Sequence, residues 1–184
     1  MKSFGLIIAF AFLMFGFSAP EKETVFKGRV ILNSQDIDYS SIFIIEFRMG
    51  STVIAETGIH KDGTYEINVK TNKAVDVYYR GISIPRTYQQ TTEPTSEDTI
   101  LLDLTIPKDY KFLSGKAICP KCSKHDQTIP ISYGLKAKVV YVKRIHKKAD
   151  TTLTTDYKNE YYDGGCTTSD IAAKYHCKRD KIEF

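Results

Sequence analysis

The sequence KDGTYEINVK, residues 61–70, begins as a turn and continues as a strict alternation of polar and apolar side chains. Its aspartate can bond to its own backbone and its glycine tolerates a positive φ, so the first three residues predict a turn. Tyr65, Ile67 and Val69 then fall on one face, which is the period of a half-buried strand. A strand that starts directly after a turn is therefore predicted here.

The same two-residue period, broken by turn signals, extends on both sides of this stretch. The predicted strands cover residues 24–32, 43–49, 52–57, 64–70, 74–79 and 99–105. Residues 86–98 are rich in Thr, Gln, Glu and Pro and predict an exposed loop. No run in this part of the chain has both the period and the length of a helix, so we expect a mainly β fold, an antiparallel sandwich rather than a parallel α/β sheet.

The amino terminus has the three parts of a secretory signal. Lys2 supplies the charge, residues 4–17 are uncharged and mostly apolar, and Gly16 and Ser18 are small residues at the positions before a cut. The apolar run is shorter than the roughly 20 residues that span a bilayer. We therefore predict a cleaved signal over residues 1–18 and a secreted or periplasmic protein, with an uncleaved anchor as the alternative.

Composition and charge describe a globular chain with two unlike parts. The sequence is 42% hydrophobic and 12% aromatic, which is enough apolar material for a core. Residues 1–110 carry 11 Lys and Arg against 14 Asp and Glu, whereas residues 111–184 carry 15 against 8. The asymmetry suggests two units, the second with either a solvated lysine-rich surface or an affinity for an acidic partner.

The first part resembles a known β module. The motifs FKGRV at 26–30, AET at 55–57 and DGTYEI at 62–67 are similar to those of carboxypeptidase regulatory-like, transthyretin-like β-sandwich domains. The resemblance covers residues 22–107. It implies a prealbumin-like sandwich that binds, spaces or stabilises and has no chemistry of its own.

All four cysteines follow residue 110, at Cys119, Cys122, Cys166 and Cys177. The first two form a C-x-x-C knuckle, a tight turn whose thiolates can converge on one ion. A structural zinc site normally takes four ligands, and Asp180 adds a carboxylate close to Cys177. The chain therefore holds enough donors for one metal site.

Residues 111–184 resemble small bacterial zinc-ribbon proteins. The matching motifs, in chain order, are CPKC at 119–122, IPISYG at 129–134, GGC at 164–166 and YHC at 175–177. Ser123 stands where that family has a knuckle glycine, and Asp180 stands where it has its last cysteine. The resemblance implies a ribbon-like β domain with structural Zn²⁺ on Cys119, Cys122 and Cys177, completed by Asp180 or Cys166.

Disulfides are the alternative to zinc, because an oxidising compartment joins neighbouring thiols unless a metal holds them. Cys119 with Cys122 would close a very small ring, whereas Cys166 with Cys177 would close a loop of ordinary size.

Between Cys122 and Cys177, residues 135–145 and 151–157 predict a hairpin with a basic tip, and Ser169 predicts the cap of one helical turn.

The sequence contains no Ser/His/Asp array, phosphate loop or H-E-x-x-H helix. We therefore expect an exported, non-enzymatic binding or structural module that meets a protein or envelope partner. The alternative is a thiol–disulfide oxidoreductase with Cys119 as nucleophile, although strand-like sequence follows its C-x-x-C pair where a helix would be expected. Zinc ribbons also bind nucleic acid, which export argues against.

Overall fold

The computed structural model describes residues 22–32, 43–134, 161–166 and 169–184, together with the backbone of residues 142–145 and 153–156. Within these ranges every regular element is a β-strand, which confirms the mainly β class. The predicted signal over residues 1–18 lies outside the described residues. Among those described, no helix is long and apolar enough to cross a membrane.

The strand predictions for the first part of the chain are largely confirmed. The strands are β1 (Glu23–Leu32), β2 (Phe43–Met49), β3 (Thr52–Gly58), β4 (Thr64–Lys70), β5 (Val75–Gly81), β6 (Ile84–Thr92), β7 (Thr99–Leu101), β8 (Leu104–Ile106), β9 (Phe112–Leu113), β10 (Lys116–Ala117), β11 (Thr128–Ser132), β12 (Val142–Ile145), β13 (Leu153–Asp156), β14 (Tyr162–Asp163), β15 (Tyr175–Cys177) and β16 (Ile182–Glu183). Strand β4 starts where predicted because Asp62 Oδ1 accepts hydrogen bonds from the backbone N–H and the hydroxyl of Thr64.

Two sheets share one buried core. The first sheet has the order β4-β1-β7, with β8 also paired to β1, and the second has the order β3-β2-β5-β6. The alternating apolar residues face inward as the period predicts. The core cluster includes Phe26, Val30, Tyr65 and Val69 from the first sheet and Phe43, Ile45, Phe47, Val75, Val77, Tyr79 and Ile84 from the second.

The loop predicted at residues 86–98 is wrong over its first half. Residues up to Thr92 form β6, which pairs antiparallel with β5. Thr87, Tyr88 and Gln89 are only 3%, 2% and 4% exposed. The polar composition was misleading, because these side chains belong to a strand that the carboxy-terminal part of the chain covers.

The single strand predicted at 99–105 is two short strands, β7 and β8, both parallel to β1. Between them Leu102 passes directly over Gly28, so that a Cβ on Gly28 would lie 1.8 Å from the Leu102 carbonyl oxygen. The same oxygen accepts a 2.7 Å hydrogen bond from the buried Tyr65 hydroxyl. Gly28 is therefore required by a close approach of two backbones.

Gly28→Ala is expected to lower the free energy of unfolding by about 3 kcal/mol, since the clash is with backbone that Tyr65 holds in place. Denaturant unfolding followed by circular dichroism measures the change. Gly58→Ala is the matched control, because its added Cβ would meet nothing closer than 3.9 Å. Equal stability of the two variants would contradict the close approach.

The outer face of β2 carries a buried ion-pair cluster. Glu46 is 1% exposed and accepts hydrogen bonds from three arginines. Its Oε2 lies 2.9 Å from Arg48 Nη1 and 2.7 Å from Arg86 Nε, and its Oε1 accepts from Arg80 Nε. Burial acts to raise the pKa of Glu46, but the three guanidinium groups hold it below its ordinary value.

The described residues of the carboxy-terminal part form three small sheets. These are the β9–β10 hairpin, the β12–β13 hairpin and a third sheet of order β14-β11-β15-β16. Pairing of β12 with β13 confirms the predicted hairpin over residues 142–145 and 153–156. The rest of the two predicted strands and residues 146–148 of the basic tip lie outside the described residues. The helical turn predicted after Ser169 is wrong, because the chain there makes a simple turn closed by Ala172 N–H on the Ser169 carbonyl.

Both buried clusters contain residues from each side of the predicted boundary at 107–111. Ile171 belongs to the core of the two large sheets, and its carbonyl accepts a 2.6 Å hydrogen bond from the Tyr79 hydroxyl. Tyr78 and Tyr88, on the outer face of the second sheet, belong to a second cluster with Cys119, Ala117, Cys177, Ile182 and Phe184. The two-domain division stays a prediction, and apolar contacts cross it.

Candidate metal centre

The first knuckle, residues 119–122, lies between β10 and β11. Its turn is closed by the Ser123 N–H, which donates to the Cys119 carbonyl at 2.9 Å. The backbone N–H groups of Lys121 and Cys122 hydrogen-bond to the Cys119 sulfur. Ser123 has a φ of 57°, so it takes the left-handed conformation that a glycine adopts most easily.

The second knuckle, residues 177–180, joins β15 to β16 and repeats the same geometry. The Lys181 N–H donates to the Cys177 carbonyl at 2.8 Å, and Lys181 has a φ of 53°. The N–H groups of Arg179 and Asp180 hydrogen-bond to the Cys177 sulfur. Asp180 therefore occupies in the second knuckle the position that Cys122 occupies in the first.

The two knuckles face each other and bring four donor groups together. One ligand atom from each of Cys119, Cys122, Cys177 and Asp180 lies within 4.8 Å of the other three. Asp180 Oδ2 is 3.2 Å from Cys119 Sγ and 3.3 Å from Cys177 Sγ, and the sulfurs of Cys122 and Cys177 are 3.9 Å apart. These four residues could hold one metal ion.

Burial controls the protonation of this cluster. Cys119 and Cys177 are 0% and 1% exposed, and burial raises the pKa of both thiols. Burial also acts to raise the pKa of Asp180, but hydrogen bonds from the three thiols hold it below its ordinary value. A cation would reverse this balance, because metal binding favours thiolates and releases their protons.

Ion pairs outside the cluster fix both knuckles. Lys121 Nζ lies 2.5 Å from Asp76 Oδ2 on β5, which ties the first knuckle to the second sheet. Arg179 Nη2 lies 2.7 Å from Asp126 Oδ2, which ties the second knuckle to the loop after the first. Neither pair is predictable from the sequence, because no local pattern relates Asp76 to Lys121, 45 residues later, or Asp126 to Arg179, 53 residues later.

Cys166, the alternative fourth ligand, is exposed and does not belong to the cluster. The two glycines before it have other roles. A Cβ on Gly164 would lie 2.2 Å from Cε1 of Tyr133, and Gly165 has a φ of 73°. The G-G-C motif therefore marks a tight turn packed against Tyr133.

The disulfide alternative has no counterpart in the structure, in which all four cysteines are free thiols. Cys177 has Cys119 and Cys122 as its sulfur neighbours, whereas Cys166 lines a surface pocket with Ser83 of the β5–β6 turn and Pro85 of β6. Cys119, Cys122, Cys177 and Asp180 form a partly buried cluster with three sulfur donors and one oxygen donor. No protein-family model matches this chain, and no curated protein matches it.

Proposed function

We propose that Cys119, Cys122, Cys177 and Asp180 bind one structural zinc ion. Zinc binds sulfur at about 2.3 Å and oxygen at about 2.0 Å, so a tetrahedral ion sets two sulfurs about 3.8 Å apart and a sulfur and an oxygen about 3.5 Å apart. The sulfur–sulfur distance of 3.9 Å and the sulfur–oxygen distances of 3.2 and 3.3 Å agree with this geometry. Soft thiolate donors favour zinc over magnesium or calcium.

The observation that carries the proposal is the repetition of one knuckle geometry on both sides of the cluster. Each knuckle directs two backbone N–H groups at the sulfur of its first cysteine, which offsets the negative charge of a bound thiolate. With four protein ligands the ion has no open position for a substrate, and that is the arrangement of a structural site.

The zinc ion would hold the carboxy-terminal part of the chain on the outer face of the second sheet. In support, Tyr78 and Tyr88 of that face pack in one cluster with two of the cysteines. A structural role also accounts for the burial of Cys119, since a thiol–disulfide nucleophile needs access to its substrate.

For the whole protein we propose an exported, non-enzymatic module, a transthyretin-like β-sandwich joined to a zinc-ribbon-like domain. The predicted signal at residues 1–18 supports export. The two sheets with a common core support the sandwich. Its partner would be another protein or a component of the cell envelope, with no nucleic acid involved.

Metal analysis of the mature protein tests the site. Elemental mass spectrometry is expected to find about one zinc ion per chain. In the native protein one thiol, that of exposed Cys166, should react rapidly with a thiol reagent, and the other three should react only after chelation. Cys166→Ser is the control, and it should keep the metal while losing the fast-reacting thiol. Absence of metal, or loss of Cys122 and Cys177 to a disulfide, would refute the zinc site.

A further inference from the structure

A cavity of about 220 Å³ lies between the second sheet and the residues around the first knuckle. Tyr88 of β6, Tyr110 and Phe184 supply aromatic surface to its wall, and Cys119 and Pro120 of the knuckle close another side. The volume is below the roughly 300–1,000 Å³ of pockets that hold drug-sized ligands. An occupant must therefore be small, and the wall suits a flat ring.

The cavity also has an ammonium group without a counterion. Lys108 Nζ donates a 3.0 Å hydrogen bond to the Gln89 carbonyl. Among the described residues no carboxylate lies within ion-pair distance of this nitrogen. An ammonium group has three N–H donors, so up to two are left for a ligand.

The charges that line the cavity favour an anion. They are Lys108, Asp109 and Lys111, which leave a net positive charge. Partial burial of the ammonium group and the charge of Lys111 both lower the pKa of Lys108, although the side chain as a whole is exposed. A carboxylate placed against Lys108 would offset the net positive charge of the lining residues.

We propose that this cavity binds a small aromatic carboxylate, with the ring against Tyr88, Tyr110 and Phe184 and the carboxylate on Lys108. Aromatic rings pack favourably edge-to-face or offset against one another, so the wall recognises the ring. The charge-assisted hydrogen bond recognises the carboxylate. This site is additional to the proposed zinc site, although the first knuckle forms part of its wall.

Calorimetric titration with benzoate tests the site. Benzyl alcohol is the probe that has the ring but no charge, and inorganic phosphate is the probe that has the charge but no ring. Benzoate is expected to bind, and each of the other two at least about tenfold more weakly. Lys108→Met should weaken benzoate binding by at least about tenfold. Lys116→Met is the matched control, because Lys116 is an exposed lysine that does not line the cavity, and it should bind benzoate like the wild type.

Three outcomes would overturn the proposal: no benzoate binding by the wild type, equal binding of benzoate and benzyl alcohol, or unchanged binding by a Lys108→Met variant. Circular dichroism and metal content are measured on each sample, so that loss of binding through misfolding is recognised. If Lys108→Met misfolds, Lys108→Arg takes its place and should retain benzoate binding. If the wild type as purified contains no metal and still binds benzoate, the cavity proposal is supported and the zinc proposal is refuted.

Discussion

Cys119→Ser is expected to abolish metal binding and to lower the free energy of unfolding by about 4 kcal/mol or more. Cys119 is fully buried in the cluster that joins the knuckles to Tyr78 and Tyr88, so the lost ligand leaves a polar hydroxyl and two facing cysteines without their ion. Denaturant unfolding together with elemental mass spectrometry measures both effects. Cys166→Ser is the control and should change stability by no more than about 0.5 kcal/mol.

Asp180→Cys replaces one proposed ligand by another, so it tests the role of Asp180 while the metal ion is kept. Because Asp180 occupies the position equivalent to Cys122, a thiolate there should complete a four-sulfur site and keep the metal. With Co²⁺ in place of zinc, the sulfur-to-metal absorption band should be stronger than in the wild type. Wild-type stability of Cys119→Ser, or no change in the Co²⁺ band of Asp180→Cys, would contradict the assigned ligands.

Glu46→Gln is expected to lower the free energy of unfolding by about 3–5 kcal/mol, because it leaves Arg48, Arg80 and Arg86 around a site that no longer holds a carboxylate. Thermal and denaturant unfolding measure the loss. Glu56→Gln is the matched control, since Glu56 bonds Arg80 at 3.2 Å but is half exposed. Its removal should cost no more than about 1 kcal/mol.

The effect of Glu46 should also depend on pH with a definite sign. The arginines hold the pKa of Glu46 below its ordinary value of 4.5, so folding favours the ionised form. Its contribution to stability is therefore present above pH 4.5 and is lost as the pH falls through the lower pKa of the folded state. The stability difference between wild type and Glu46→Gln should shrink in that acid range, and a difference that grew there would contradict the assignment.

The strands and the knuckles were predictable because both have local signals. Alternation and an Asp-Gly turn specify β4, and two short C-x-x-C-like motifs specify turns that each carry two donors. That Asp180 and not Cys166 joins the other three could not be decided from the sequence. Gly164 and Gly165 before Cys166 resemble part of a metal motif, yet they serve the packing of Tyr133.

The features that the sequence concealed all depend on contacts between distant parts of the chain. Thr87 and Gln89 are polar, and a polar run predicts a loop, but both are buried beside a segment that follows them. Glu46 interrupts an apolar strand, and only the sheet brings Arg80 and Arg86 to it from 34 and 40 residues away. The local sequence around such a polar side chain does not predict which distant residue it contacts in the fold.

The two predicted domains share buried clusters, and this affects how the protein is expected to unfold. Ile171 packs in the core of the large sheets, and Lys121 bonds Asp76 on β5. Unfolding of one part would expose apolar surface of the other, which favours a single cooperative transition. Two well-separated calorimetric transitions would instead support independent domains.

The spacing of the cluster along the chain has a consequence for biosynthesis. Asp180 follows Cys119 by 61 residues. While the polypeptide is still emerging from the ribosome, Cys119 and Cys122 are present as a pair that offers only half of the ligands. The second pair follows only after the intervening residues have been translated, so the polypeptide can hold the proposed ion with all four ligands only once synthesis has passed Asp180.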